Sequence, residues 1–254
     1  MVSLDVYFFT VLNKDLEYTS NSFLDHLWKF DLTAESTTEV MVTIEGMPFK
    51  RALLYQFKPH TRISNDAMSI FLLLLRMRDI RICSSHREVN EDLDAYCERK
   101  SSFFFDVAML ESLCDGDFEY LANVDLAKTH QVFFIVKHAS DVWTILILDC
   151  SAKSIFFVSS SGQNGIADAE LWRYRTGLAR FVARHFGIGY DAWPWNPCPG
   201  LFIEPLENDF DGGIYVMILL YSLAHGSPAV IRTSYIEQYR RNIAYWIMNE
   251  QLPI

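Results

Sequence analysis

Three short runs fix the architecture more firmly than anything else in this chain: Val132–Val136, Trp143–Leu148 and Ser154–Val158. Each is dominated by aromatic, β-branched and other large apolar residues, the composition of strands rather than helices. The connectors His138–Asp141 and Cys150–Lys153 have the length of hairpin loops, so the runs predict a meander of adjacent strands. Their apolar character is continuous rather than alternating. A sheet of that kind is buried on both faces and needs helices to cover it.

The flanking sequence supplies those helices. Asn65-Asp66 offers an N-cap for a helix running to about Asp79, and its centre, Ile70–Leu75, is apolar on every side, as in a helix packed within a core. Residues 84–100 are charged and read as loop or exposed helix. From Ala167 to His185, Leu171, Tyr174, Leu178, Phe181 and Val182 form one stripe and Arg173, Arg180 and Arg184 another, with Gly187 as the stop. Asp211–His225 reads as an apolar helix ended by Gly226. Ser234-Tyr235-Ile236-Glu237 predicts a capping box for a last helix that turns Tyr239, Ile243, Trp246 and Ile247 inward. Shorter signals are a strand at Leu4–Leu12, an amphipathic piece around Phe23, Leu27 and Phe30, and a hairpin of Glu39–Ile44 and Phe49–Phe57 turned by Gly46-Met47-Pro48. A Pro- and Trp-rich loop from Trp193 to Gly200 leads to a short strand at Leu201–Ile203. The order predicts an α+β domain.

Composition narrows the classes of function. The 254 residues suit one large domain or a domain with an appended arm, and half of them are apolar, ample for a packed core. Twenty-two basic against thirty-two acidic residues give a formal charge of −10, which repels phosphate backbones and predicts no direct nucleic-acid binding. The five cysteines, Cys83, Cys97, Cys114, Cys150 and Cys198, are odd in number and lack a C-x-x-C pair. They predict neither disulfide framework nor zinc site, no cofactor, and an intracellular, reducing compartment. The apolar start of the chain carries Asp5 and lacks a basic leader, and Ile70–Leu75 is too short to span a bilayer, so no membrane role is expected.

Against this background, Asn208-Asp209-Phe210-Asp211-Gly212-Gly213-Ile214-Tyr215-Val216 resembles the nucleophile segment of the Ulp/SENP cysteine proteases, which cut SUMO and related modifiers. That family reads roughly N-G-Y-D-C-G-I-Y-V there. Four further blocks follow the family order. Arg62-Ile63-Ser64-Asn65-Asp66 resembles its W-L-N-D segment and Ser102-Phe103-Phe104-Phe105 its S/T-F-F-Y stretch. Val132–Asp149 is similar to the region ending in H-W-x-L-x-x-x-D, and Ile155–Ser160 to the next strand. The resemblance spans roughly residues 42–248 and implies a papain-like, Ulp-type fold with a central mixed sheet flanked by helices. Residues 1–38 would then be an N-terminal extension, packed on or docking from a protease-like domain at 39–254.

The same alignment empties the active site. A protease of this type sets a thiol at a helix N-terminus, where the macrodipole favours thiolate, with a histidine as proton carrier, an acid to orient it and a glutamine for the oxyanion. The thiol's place is Gly212, the histidine's Val142, the acid's Ser159 and the glutamine's Leu206. The resemblance therefore implies a pseudoprotease, not an enzyme, serving as a protein-interaction or structural subunit of a larger multi-protein complex. One alternative is a reader that binds SUMO or another ubiquitin-like modifier without cutting it; another is an active hydrolase with relocated residues. For binding, Trp143 and Asp66 match family positions that meet the modifier, while the second tryptophan's place falls to Arg62 or Ile63. Trp193 and Trp195 are candidates for a protein contact, as anchors on a proline-stiffened loop. The Arg173, Arg180 and Arg184 face is read as a solvated face that could also meet an acidic partner. A new pairing of Cys198 with His138 has no support in their spacing, and Ser159-Ser160-Ser161 reads as a turn. Nucleus rather than cytoplasm rests on family analogy alone.

Overall fold

The structure, a computed structural model, describes residues 24–25, 28–29, 33, 36–87, 101–105, 107–117, 129–138, 142–160, 168–187, 193–197, 202–204, 206, 208–224 and 230–250. In chain order the elements are β1 (Val40–Ile44), β2 (Met47–Lys50), α1 (Asn65–Arg87), β3 (Ser101–Phe105), α2 (Val107–Cys114), β4 (Thr129–Lys137), β5 (Trp143–Asp149) and β6 (Ser154–Ser159). There follow α3 (Asp168–Phe186), β7 (Trp195–Pro197), β8 (Phe202–Ile203), α4 (Gly212–Ala224), β9 (Val230–Ile231) and α5 (Ile236–Met248). They fall into two compact units, one from the described residues of Met1–Leu74 and Gly200–Pro253, the other from those of Leu75–Pro199.

The second unit holds the sheet. Its five strands run in the order β3-β4-β5-β6-β7. The meander β4-β5-β6 is antiparallel, whereas β3 joins β4 and β7 joins β6 in parallel, which makes the sheet mixed. The α+β class and mixed central sheet expected from the sequence are therefore present. On one face Val132, Phe134, Val136, Leu146, Leu148 and Ile155 meet Leu110 and Leu113 of α2 and Tyr174, Leu178, Phe181 and Val182 of α3. Phe105 stacks on Phe134 at 4.8 Å, and Phe104 stacks on Phe133 at 5.0 Å. Cross-strand aromatic pairs of this kind fix register as well as burying area. Gly187 takes a φ of 64° just beyond α3, the left-handed stop that its sequence position implies.

The first unit is mainly helical, with two small ribbons, antiparallel β1-β2 and parallel β8-β9. Helix α4 is buried along Gly212–Tyr221, and α5 turns Tyr239, Ile243, Trp246 and Ile247 inward as its sequence pattern requires. Leu24 is fully buried, the Trp28 carbonyl accepts from Lys58 Nζ at 2.7 Å, and Asp25 pairs with Arg241 at 2.7 Å.

Several local expectations are corrected. Only Met47–Lys50 returns in the first hairpin; Arg51–Leu54 and Tyr55–Phe57 are helical turns. Leu54 and Phe57, three apart, are the residues this segment buries, a helical rather than an alternating spacing. The cap of α1 is Ser64, whose Oγ accepts from Ala67 N at 3.3 Å, and the helix continues past Asp79 to Arg87. Part of the Trp193–Gly200 loop is the edge strand β7, where Pro197 costs no ladder bond that a central strand would need. The Ser234 capping box is not made. A 3-10 turn, Thr233–Tyr235, leads into α5, and Glu204 accepts from Thr233 N and Oγ1 instead, at 2.9 and 3.3 Å. Leu4–Leu12 lies outside the described residues, as do Phe23, Leu27, Phe30 and Gly226.

Candidate functional site

The segment around Gly212 is held from three sides. Asn208 Oδ1 accepts from Phe210 N and Asp211 N, at 3.0 and 3.2 Å, and caps a 3-10 turn, Asp209–Asp211, that feeds directly into α4. Gly212 is the first residue of that helix and is buried. Beside it, Gly213 is required by close packing: a Cβ there would sit 2.6 Å from Ile63 Cβ. That contact separates the two residues that the sequence leaves as alternatives. Ile63 is buried against the helix start, while Arg62 is exposed and lies over the Phe210 ring at 5.4 Å.

Arg240 fixes this region from α5. Its side chain is 1% exposed. Nε and Nη2 donate to Asp211 Oδ1 at 2.9 and 2.7 Å, Nη1 to the carbonyls of Gln56 and Lys58, and Nη2 to those of Thr61 and Phe210. Burial lowers the Arg240 pKa from its ordinary value, and the Asp211 hydrogen bond opposes that loss. The sequence reading missed this residue. Its signal was an arginine at the spacing of Ile243 and Ile247 on an otherwise apolar stripe.

Leu206 is half-buried in the same unit. The other two aligned positions belong to the sheet unit. Val142 is half-buried, and its carbonyl accepts from His138 N at 2.8 Å, closing the β4-β5 hairpin. Ser159 ends β6, is buried, and pairs in register with Thr144. Ser160 Oγ accepts from Trp143 N at 3.1 Å, satisfying a buried backbone donor, while Ser161 lies outside the described residues.

The sheet unit does contain an acid–imidazole–hydroxyl chain. His138 Nδ1 lies 2.8 Å from Glu170 Oε2 and Nε2 lies 3.0 Å from Thr144 Oγ1, with Tyr174 edge-on to the imidazole at 6.1 Å. The connectivity matches the logic of a nucleophile–base–acid relay. Thr144 is 0% exposed, however, so a substrate carbonyl has no approach to its oxygen. Two of the cysteines are described as free thiols. Burial pushes Cys114 up to about 11 and Cys150 up to about 12, and each stays protonated at neutral pH. His138 bonds to neither. Asp149, which keeps the acidic end of β5, lies below its ordinary value: burial raises it, but the hydrogen bonds of Ala152 N, Ser151 Oγ and Gln131 outweigh that effect.

The binding candidates separate by exposure. Asp66 is exposed in the first turn of α1, where a carboxylate suits the helix dipole. Trp143 is buried at the start of β5, with Lys137 Nζ over its ring at 5.4 Å. Trp193 packs 5.1 Å from Phe186 within the sheet core, and Trp195 is half-exposed on the edge strand. Among the described residues no group of three or more His, Cys, Asp and Glu side chains could hold a metal ion, and no helix is long and apolar enough to cross a membrane.

Solved structures match this arrangement almost end to end. The C-terminal Ulp1 protease domain, solved in complex with Smt3, the yeast ortholog of SUMO, superposes with a TM-score of 0.68 over 92% of this chain and 95% of that one, at 15% identity. The chain has the Ulp-type cysteine-protease fold. A Chaetomium thermophilum Ulp1-like SUMO protease catalytic domain gives a TM-score of 0.66 over 93% of this chain and 91% of that one, at 14% identity. Ulp1 with its catalytic cysteine oxidized to a sulfonic acid matches at 0.68, over 91% and 95%, again at 15% identity. No family model and no curated protein matches the sequence. The Ulp-type fold is thus carried here by packing and topology, with little residue identity left.

Proposed function

We propose that this chain is a catalytically silent domain of the Ulp-type fold that works through protein contacts, as a structural or adaptor subunit of a larger assembly. The observation that carries the reading is Gly212 at the first position of α4, in the segment that resembles the family's nucleophile motif. A glycine offers no sulfur. Val142 and Leu206 cannot move a proton, and Ser159 cannot orient an imidazole as a carboxylate does. The protonated thiols of Cys114 and Cys150 and the enclosed hydroxyl of Thr144 support the same reading.

A second reading, a modifier reader without scissors, draws support from the exposed Asp66 at the head of α1 and from the solved complex of Ulp1 with Smt3. The buried Trp143 ring weighs against it as a contact residue. Incubation with SUMO carrying a C-terminal electrophile, read by intact-mass spectrometry, is expected to give no adduct; a stoichiometric adduct on any residue refutes silence. Titration with free SUMO then divides the two readings. Saturable binding weakened by Asp66→Arg selects the reader, and absence of binding selects the adaptor.

A further inference from the structure

We infer that the solvent face of α3 is a docking strip for an acidic peptide segment of a partner protein, one that carries an apolar anchor among Asp and Glu residues. The inference does not depend on whether the chain hydrolyses anything. Trp172 is 67% exposed, the most exposed of the large hydrophobic residues described. At helical spacing it continues into Thr176, Ala179 and Ala183, a centre line of small side chains that leaves the backbone of a partner free to approach. Arg175 flanks that line on one side, with its guanidinium 5.9 Å from the Trp172 ring, and exposed Arg173, Arg180 and Arg184 flank it on the other.

Charge selects the occupant. Leu171–Gly187 holds four arginines and no acid, within a chain of net charge −10. Three described acidic groups that contact this helix or lie on it are engaged already. Glu111 and Asp115 of α2 pair with Arg173 at 2.6 and 3.3 Å, and Glu170 faces His138. Arg175 and Arg180 therefore set the sign of the strip, and a carboxylate-bearing segment is its complement. A second copy would present the same arginines to each other. A nucleic acid offers no aliphatic anchor for the line of small side chains beside the exposed Trp172. An exposed tryptophan flanked by arginines has the composition of an interface hot spot.

The test is fluorescence anisotropy of the full chain with a fluorescein-labelled Asp/Glu-rich peptide bearing a central Leu and Phe. A Lys-for-acid version of the peptide and a single-stranded oligonucleotide serve as control probes. Saturable, salt-sensitive binding of the acidic peptide is expected, weakened about tenfold or more by Trp172→Ala and by Arg175→Glu with Arg180→Glu. Arg180→Lys should retain most of the affinity, and unchanged thermal unfolding of each variant excludes a folding artefact. The inference is overturned if the acidic peptide does not bind, if binding survives those substitutions, if the oligonucleotide or the Lys peptide binds as well, or if Trp172→Ala abolishes self-association instead.

Discussion

Two aspartates in this molecule meet an arginine below the surface, one in each compact unit, and they fare differently. Asp211 and Arg240 come from separate elements, so the guanidinium can approach the carboxylate head-on, with two N–H donors at 2.7 and 2.9 Å. The rest of that guanidinium spends its donors on four carbonyls. Asp79 and Arg78 are neighbours on one helix, where adjacent side chains do not face each other. Their charged atoms are 3.8 Å apart, and burial, opposed by Arg78 and by the Ser102 N–H, pushes the Asp79 carboxyl up to about 6. The presence of an ion pair therefore says little; the distance and direction of approach decide whether it offsets the cost of burying the carboxylate.

The largest effect should come from breaking the better pair. Arg240→Met leaves a lone buried carboxylate and takes a charged donor from four carbonyls, and should cost about 3–5 kcal/mol in chemical denaturation. Adding Asp211→Ala to that variant should recover part of the loss. A cost below about 1 kcal/mol would remove Arg240 from its central role.

Asp79 should behave in the opposite sense. Its pKa in the fold, about 6, stands above the ordinary 3.8, so the fold favours the neutral acid. That contribution is complete below the unfolded value and is lost as pH rises through 6. Relative to Asp79→Asn, the wild type should lose roughly 2–3 kcal/mol between pH 4 and pH 7. Parallel stability curves for the two proteins would show that the carboxylate is solvated after all.

Beside the well-made pair, Gly213→Ala tests the helix start. Alanine is the better helix former by up to about 1 kcal/mol, yet the clash with Ile63 should make the variant less stable by about 1–3 kcal/mol. A stabilised variant would mean that Ile63 is not seated there. In the other unit, Thr144→Val removes the hydroxyl facing His138 Nε2, with a loss of about 1–2 kcal/mol. Glu170→Gln should cost less than about 1 kcal/mol, because that carboxylate is partly in water.

Much of this fold was legible in residue order. The meander of β4, β5 and β6 follows from continuous apolar runs, and α3 and α5 from stripes of which the structure buries Tyr174, Leu178, Phe181 and Val182 in one and Tyr239, Ile243, Trp246 and Ile247 in the other. What escaped depended on contacts far apart in sequence. Arg240 reaches Gln56, Lys58 and Thr61 across most of the chain, and Glu204 replaces a capping box that looked complete in Ser234 and Glu237. The edge strand β7 was hidden because its ladder bonds come from β6 and not from its own composition. At the candidate site, sequence located the start of α4 and its glycines but not the exposed Arg62–Phe210 pair, since neither residue belongs to a periodic pattern.

The central claim, that Gly212 leaves this fold without chemistry, meets its most direct test in turnover of SUMO bearing a C-terminal fluorogenic amide. With full-length protein the rate should equal that of buffer alone at every enzyme concentration and pH. A rate that rises in proportion to protein, survives a second purification, and falls on Thr144→Val or on replacement of a cysteine would contradict it.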